Sequence, residues 1–88
     1  MKIEFRESFL KDLRSIKEKQ LLTTIKETIE VVESASSLAD IAGIKKMRGG
    51  KDYFRIRLGD YRIGLKLQNN AFVFVRFLHR KEIYRYFP

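Results

Sequence analysis

The sequence predicts an α+β fold in the order β-α-α-β-β-β-β, closed by a short C-terminal helix. Three observations predict it. Apolar residues recur every three to four positions up to Val32 and every second position from Ile44 onward. The dipeptides Gly59-Asp60 and Asn69-Asn70 stand between alternating runs and suit tight hairpin turns. A short alternating run, "KIEF", precedes the helical part. The 88 residues suffice for one core, so residues 1–88 are expected to form a single domain. The two helices should pack on one face of a mainly antiparallel sheet.

In "KIEFRES", Ile3 and Phe5 share one face and Lys2, Glu4 and Arg6 the other, as in a half-buried strand. Ser8 is a candidate N-cap for a helix over about residues 9–18, with Leu10, Leu13 and Ile16 or Lys17 on its stripe. A break near Lys19-Gln20 leads to a second helix, whose stripe is Leu22, Ile25, Ile29 and Val32. Both stripes read as core and carry no chemistry. In "SASSLADIAG", Ser37 and Asp40 suit a capping box around one short turn, and Gly43 suits its end. "IKKMR" is a short strand before a Gly49-Gly50 turn. Strands are then expected at about 53–58, 61–67 and 72–79, and "RKEIYRYFP" as a short helix or ordered tail.

The chain has no cysteine, so disulfides and thiolate metal sites are excluded, and a cytoplasmic setting fits. No apolar run approaches the roughly 20 residues needed to span a bilayer, so no membrane role is expected. Residues 1–43 carry seven Lys/Arg against eight Asp/Glu; residues 44–88 carry twelve against three. The C-terminal half alone is therefore strongly basic, which points to a polyanionic partner, RNA or DNA first.

With Gly59-Asp60 as the turn, Leu58 pairs with Tyr61, Arg57 with Arg62, Ile56 with Ile63, Arg55 with Gly64 and Phe54 with Leu65. Phe54, Ile56, Leu58, Tyr61, Ile63, Leu65 and Leu67 then face the helices. Tyr53, Arg55, Arg57, Arg62, Gly64 and Lys66 share the other face, on which no apolar packing is expected. Like charges directly opposite on a sheet cost up to about 1 kcal/mol. A solvated polar face is the plain explanation; an anion site is the functional one, since guanidinium groups fork onto phosphate and stay charged. Gly64 leaves room for a ligand at the backbone, or marks a bulge.

The last strand, "AFVFVRFLHR", is apolar on both faces, and its register is ambiguous. A two-residue Asn69-Asn70 loop turns Arg76 toward the core. One further loop residue turns Val73, Val75 and Phe77 inward and places Arg76 and Arg80 beside the other arginines. The second register is preferred, because an unpaired buried arginine is expensive. His79, the only histidine, is a candidate proton carrier or a plain boundary residue. Tyr84, Tyr86 and Phe87 either dock the tail or, near arginines, stack on a base.

Taken together, "KKMRGGKDYFRIRLGDYRIGLKL" and "VFVRFLHRKEIYRYF" resemble the RelE/ParE superfamily of toxins from type II toxin–antitoxin systems. The shared pattern is a Lys-hydrophobic-Arg-Gly entry, a strand of alternating basic residues, a Tyr-Arg opening the next strand, and a His-Arg with a tyrosine four residues after the arginine. It covers nearly the whole chain. The resemblance implies a RelE-like fold and a small basic endoribonuclease that cuts mRNA in the ribosomal A site. It also implies a cognate antitoxin that forms a hetero-oligomer with the toxin. By position it assigns Arg62, Arg80, Tyr84 and His79 as catalytic. The RNA-binding set is Arg55 and Arg57, joined by Lys46, Arg48, Lys66, Arg76 and Lys81. RelE itself has lysines where this chain has Arg55 and Arg57. An arginine does not act as a base, so proton transfer falls to His79, Tyr84, the ribosome or the RNA. No carboxylate cluster accompanies the arginines, so neither metal nor cofactor is expected. The alternatives are a ParE-like inhibitor of DNA gyrase, which shares the fold without cutting RNA, and a non-catalytic RNA- or ribosome-binding module.

Overall fold

The computed structural model describes residues 1–88 and has the predicted order of elements. Strand β1 (Lys2–Phe5) is followed by helices α1 (Glu7–Arg14) and α2 (Lys19–Ser34). After one 3-10 turn (Leu38–Asp40) come β2 (Ile44–Lys46), β3 (Tyr53–Leu58), β4 (Tyr61–Gln68), β5 (Ala71–His79) and α3 (Ile83–Tyr86). The five strands form one sheet in the order β1-β5-β4-β3-β2. β1 runs parallel to β5, and every other pair is antiparallel. No helix is long and apolar enough to cross a membrane.

The helices cover one face of the sheet. Their core joins Phe9, Ile25 and Val32 to Phe54, Ile56, Ile63, Leu65, Phe72, Phe74 and Phe77. Two helix stripes differ from the predicted ones by one position. Phe9, not Leu10, is the buried anchor of α1; it is fully enclosed while Leu10 is 38% exposed. Leu21 packs on the core while Leu22 stays exposed. The cause in α1 is its early start. Its N-cap is Arg6, and the Ser8 hydroxyl, expected to cap, donates instead to the Val75 carbonyl across to β5 at 2.6 Å. The capping box of Ser37 and Asp40 forms as predicted.

The hairpin of β3 and β4 has the predicted register, residue for residue from Leu58↔Tyr61 to Tyr53↔Lys66. β5 corrects its prediction. Asn69 and Asn70 form a two-residue loop, both with positive φ (52° and 62°), a conformation asparagine tolerates better than most residues. Phe72 and Phe74 therefore face the helices, not Val73 and Val75. A bulge between Gly64/Leu65 and the facing strand then shifts the register, pairing Gly64 with Arg76 and Ile63 with Phe77. Without that extra residue Arg76 would lie opposite Ile63 in the core; the bulge removes the cost that made the short loop look unfavourable.

The far face is not wholly polar, a second correction. Met47, Ile83 and Phe87 form a small cluster there with Tyr53, Val75 and Leu78. Thus α3 and the residues after it cover part of that face. The room expected over Gly64 is filled: a methyl group at Gly64 would lie 2.7–2.9 Å from three atoms of the Phe87 ring.

Candidate functional site

The part of this face left uncovered carries the arginines. β3 presents Arg55 and Arg57, β4 presents Arg62 opposite Arg57, and Arg80 follows the end of β5. The Arg80 amide donates to the Asp60 carbonyl at 2.8 Å, which ties this end of β5 to the hairpin turn. Partial burial lowers the Arg62 pKa from its usual value, and Arg55, Arg57 and Arg80 lower it further by repulsion. Tyr84 acts in the opposite sense. All four arginines and Tyr84 therefore share one electrostatic neighbourhood.

Little anionic protein compensates them. Arg55 donates to the Gly43 carbonyl at 2.6 Å, and its buried Nε has no partner. Arg62 donates to the carbonyls of Gly59 and Tyr61, each at 2.8 Å. Arg55, Arg57 and Arg62 make no ion pair; Arg80 has Asp60 at 3.8 Å, both largely exposed, a contact of little weight. Neutral carbonyls hold the Arg55 and Arg62 guanidiniums in place and leave their charge available to a ligand. No group of three or more His, Asp or Glu side chains stands together.

Beside the cluster lies a groove of ≈ 470 Å³, bounded by Lys45, Arg48, Arg55, Tyr84, Phe87 and Pro88 among others. Tyr84 is 68% exposed, so its ring is presented rather than packed, while Ile83 and Phe87 anchor the short helix that carries it. That division answers the ambiguity over the tail: Phe87 docks, and Tyr84 and Tyr86 do not.

The other expected site residues divide. Arg48 reaches the groove. Lys46 pairs with Phe54 and so belongs by alternation to the helix-side face, at the groove's edge. Lys45, overlooked in the sequence, pairs with Arg55 and stands on the arginine face. Counting alternation from Ile44 would have found it. Lys66 lies over the Tyr53 ring at 5.4 Å, on the far side of the docked tail. Arg76 is tied to Asp12 on α1, with Nε and Nη2 donating at 2.8 and 3.2 Å, and that bond raises its pKa. Lys81 is exposed in the turn before α3.

His79 is not brought to the arginines. It pairs with Tyr61, whose ring stacks on Phe77 on the helix side, and the imidazole lies edge-on to Tyr61 at 5.6 Å. Its Nδ1 accepts the Lys81 amide. The bulge is the reason: strand alternation after it sends Leu78 and Arg80 to the arginine face and His79 to the opposite one.

Known proteins share this fold. A family model described as the ParE toxin of the type II toxin–antitoxin system parDE matches residues 3–84. The chain is 43% identical over 89 aligned positions, the full length of both, to Toxin RelE3 of Methanocaldococcus jannaschii. Its structure matches a chain in the RelB–RelE antitoxin–toxin complex from Methanococcus jannaschii with a TM-score of 0.78 and 41% identity, covering 97% of this chain and 99% of that one. A chain of the archaeal RelE–RelB complex from Pyrococcus horikoshii OT3 matches with a TM-score of 0.71 over 90% of this chain and 93% of that one; at 20% identity it speaks for the fold.

Proposed function

The chain belongs to the RelE/ParE family of toxins from type II toxin–antitoxin systems, and from that premise we propose that it is an endoribonuclease that cleaves mRNA in the ribosomal A site of the cytoplasm. The observation that carries the proposal is the gathering of Arg55, Arg57, Arg62, Arg80 and Tyr84 on one face with almost no carboxylate to neutralise them.

RNA cleavage of this kind uses the substrate's 2′-hydroxyl as nucleophile on the adjacent phosphorus. The P–O bond to the 5′ oxygen breaks, leaving a 2′,3′-cyclic phosphate and a 5′-hydroxyl. Negative charge grows on the non-bridging oxygens, and preorganised cations stabilise it. Arg62 on β4 and Arg80 just past the end of β5 are the clamps on that charge. Bringing an anion to Arg62 also relieves the repulsion that lowers its pKa. Arg55, with Lys45 and Arg48 along the groove, holds the neighbouring backbone, and Arg57 extends the same track. Tyr84 is the one group among the charged neighbours of Arg62 suited to pass a proton, and its exposed ring can stack on a base. His79 is left without a part, since it faces the other way. The site offers no carboxylate set for a metal, and the reaction needs none.

An antitoxin is the expected partner, since the matched relatives from M. jannaschii and P. horikoshii were solved as complexes with RelB. Electrostatics favours an acidic, flexible segment laid over the arginines.

The test is induction in cells with mapping of mRNA 5′ ends and measurement of plasmid supercoiling. New 5′-hydroxyl ends within codons support the reading. The family model, described for ParE, favours gyrase inhibition as the second reading; altered supercoiling with intact mRNA would establish that instead.

A further inference from the structure

Where β5 outruns β1, a helix takes over the strand's edge. β1 ends at Phe5, and the last backbone bond from that segment is the Arg6 amide to the Phe74 carbonyl, 2.9 Å. Beyond it, β5 turns open backbone groups toward α1. Ser8 Oγ donates to the Val75 carbonyl at 2.6 Å, and the Phe77 amide donates to Asp12 Oδ2 at 2.9 Å. The same carboxylate accepts both Arg76 bonds, so three donors converge on it. Ser8 and Asp12, one turn apart on α1, thus do what a sixth strand would do.

These contacts fall on the bulge. An unbulged continuation from Leu65↔Phe74 would pair Ile63 with Arg76 and Arg62 with Phe77. It would turn Arg80 off the arginine face and His79 onto it. The observed register pairs Ile63 with Phe77 and Arg62 with Leu78. Asp12 holds both residues that distinguish the two: the Phe77 amide in its observed position, and the Arg76 guanidinium outside the core.

We propose that Asp12 is a positioning residue, which fixes the bulged register of β5 through Arg76 and Phe77 and so delivers Arg80 to the face that holds Arg62. The register claim stands on geometry; its consequence for cleavage rests on the reading of Arg80 given above. Asp12 itself touches no arginine of the cluster.

The experiment is NMR of Asp12→Ala and Asp12→Asn beside single-turnover cleavage of ribosome-bound mRNA. In both variants the cross-strand contacts Arg62–Leu78 and Tyr61–His79 should weaken, and Phe77 should lose amide protection; Asp12→Asn, which keeps a carbonyl acceptor, should show the smaller change. Cleavage by Asp12→Ala should fall by about 10- to 100-fold, the scale of an ångström's misplacement, with ribosome affinity unchanged. Asp12→Ala combined with Arg80→Ala should be no slower than Arg80→Ala alone, because the two act through one group. Intact cross-strand contacts in both Asp12 variants would overturn the proposal, as would penalties of Asp12→Ala and Arg80→Ala that multiply. A wild-type protein that leaves mRNA whole would sink the nuclease reading alone, and the contacts would still decide the role of Asp12.

Discussion

Gly64→Ala is expected to be destabilising in the native chain and stabilising once Phe87 is gone. The new methyl would stand 2.7, 2.9 and 2.9 Å from three carbons of the Phe87 ring, closer than packed carbons tolerate. Either the ring shifts or the tail leaves. Leaving exposes Ile83 and Phe87, now 0% and 3% exposed, at about 1.5–3 kcal/mol each, or roughly 3–6 in all. Shifting the ring is an overpacking adjustment of about 1–3 kcal/mol. The smaller cost wins, so the tail should stay docked but displaced. At about 5 °C per kcal/mol for a domain of this size, Tm should fall by roughly 5–15 °C. With Phe87→Ala in place the clash vanishes, and alanine's lower backbone entropy in a strand should return about 0.5–1 kcal/mol. Thermal melts of the four proteins complete the cycle. Equal destabilisation by Gly64→Ala in both backgrounds would refute the account of how the tail sits on the sheet.

Further outcomes concern the site. His79→Ala should cleave ribosome-bound mRNA at the native rate with an unchanged pH profile between about pH 6 and 8, since the imidazole faces away from the arginines. Tyr84→Phe should lower the single-turnover rate by about a hundredfold with little change in ribosome affinity; an undiminished rate would leave the ring as a stacking surface only. Lys45→Ala should weaken RNA binding and reduce the salt slope by about 0.7, the share of one single-stranded phosphate; an unchanged slope would place the RNA elsewhere.

Much of this arrangement is legible in the residues alone. The Gly59-Asp60 turn fixes the β3–β4 register, and with it the gathering of Arg55, Arg57 and Arg62, because local turn chemistry and strand alternation suffice there. The capping box at Ser37 and the order of strands are equally local. What escaped depends on distant contacts. Asn69-Asn70 announces its two-residue loop, yet nothing near Arg76 in sequence shows that Asp12, 64 positions earlier, waits to receive it. The short loop therefore looked expensive, and the bulge that reconciles it with Arg76 went unseen. The longer loop and the bulged short loop both place His79 on the helix side with Phe77, so the resemblance, and not the strand pattern, puts it among the catalytic candidates. The tail is a similar case. The residues leave open whether Phe87 docks, and only the third dimension lays it and Ile83 over Gly64 and Val75. Phe9 and Leu10 differ by one place for a smaller reason: the Ser8 hydroxyl found a strand carbonyl instead of the helix end.

In the proposed reaction, Arg62 on β4 and Arg80 just past the end of β5 stabilise the charge on a phosphate undergoing cleavage. The most direct measurement is single-turnover cleavage of ribosome-bound mRNA by Arg62→Ala and Arg80→Ala at saturating ribosome. Each should lose roughly a hundred- to a thousandfold in rate, the scale for removing one preorganised donor to a developing oxyanion, while still binding the ribosome. Cleavage by both variants at the native rate would contradict the account.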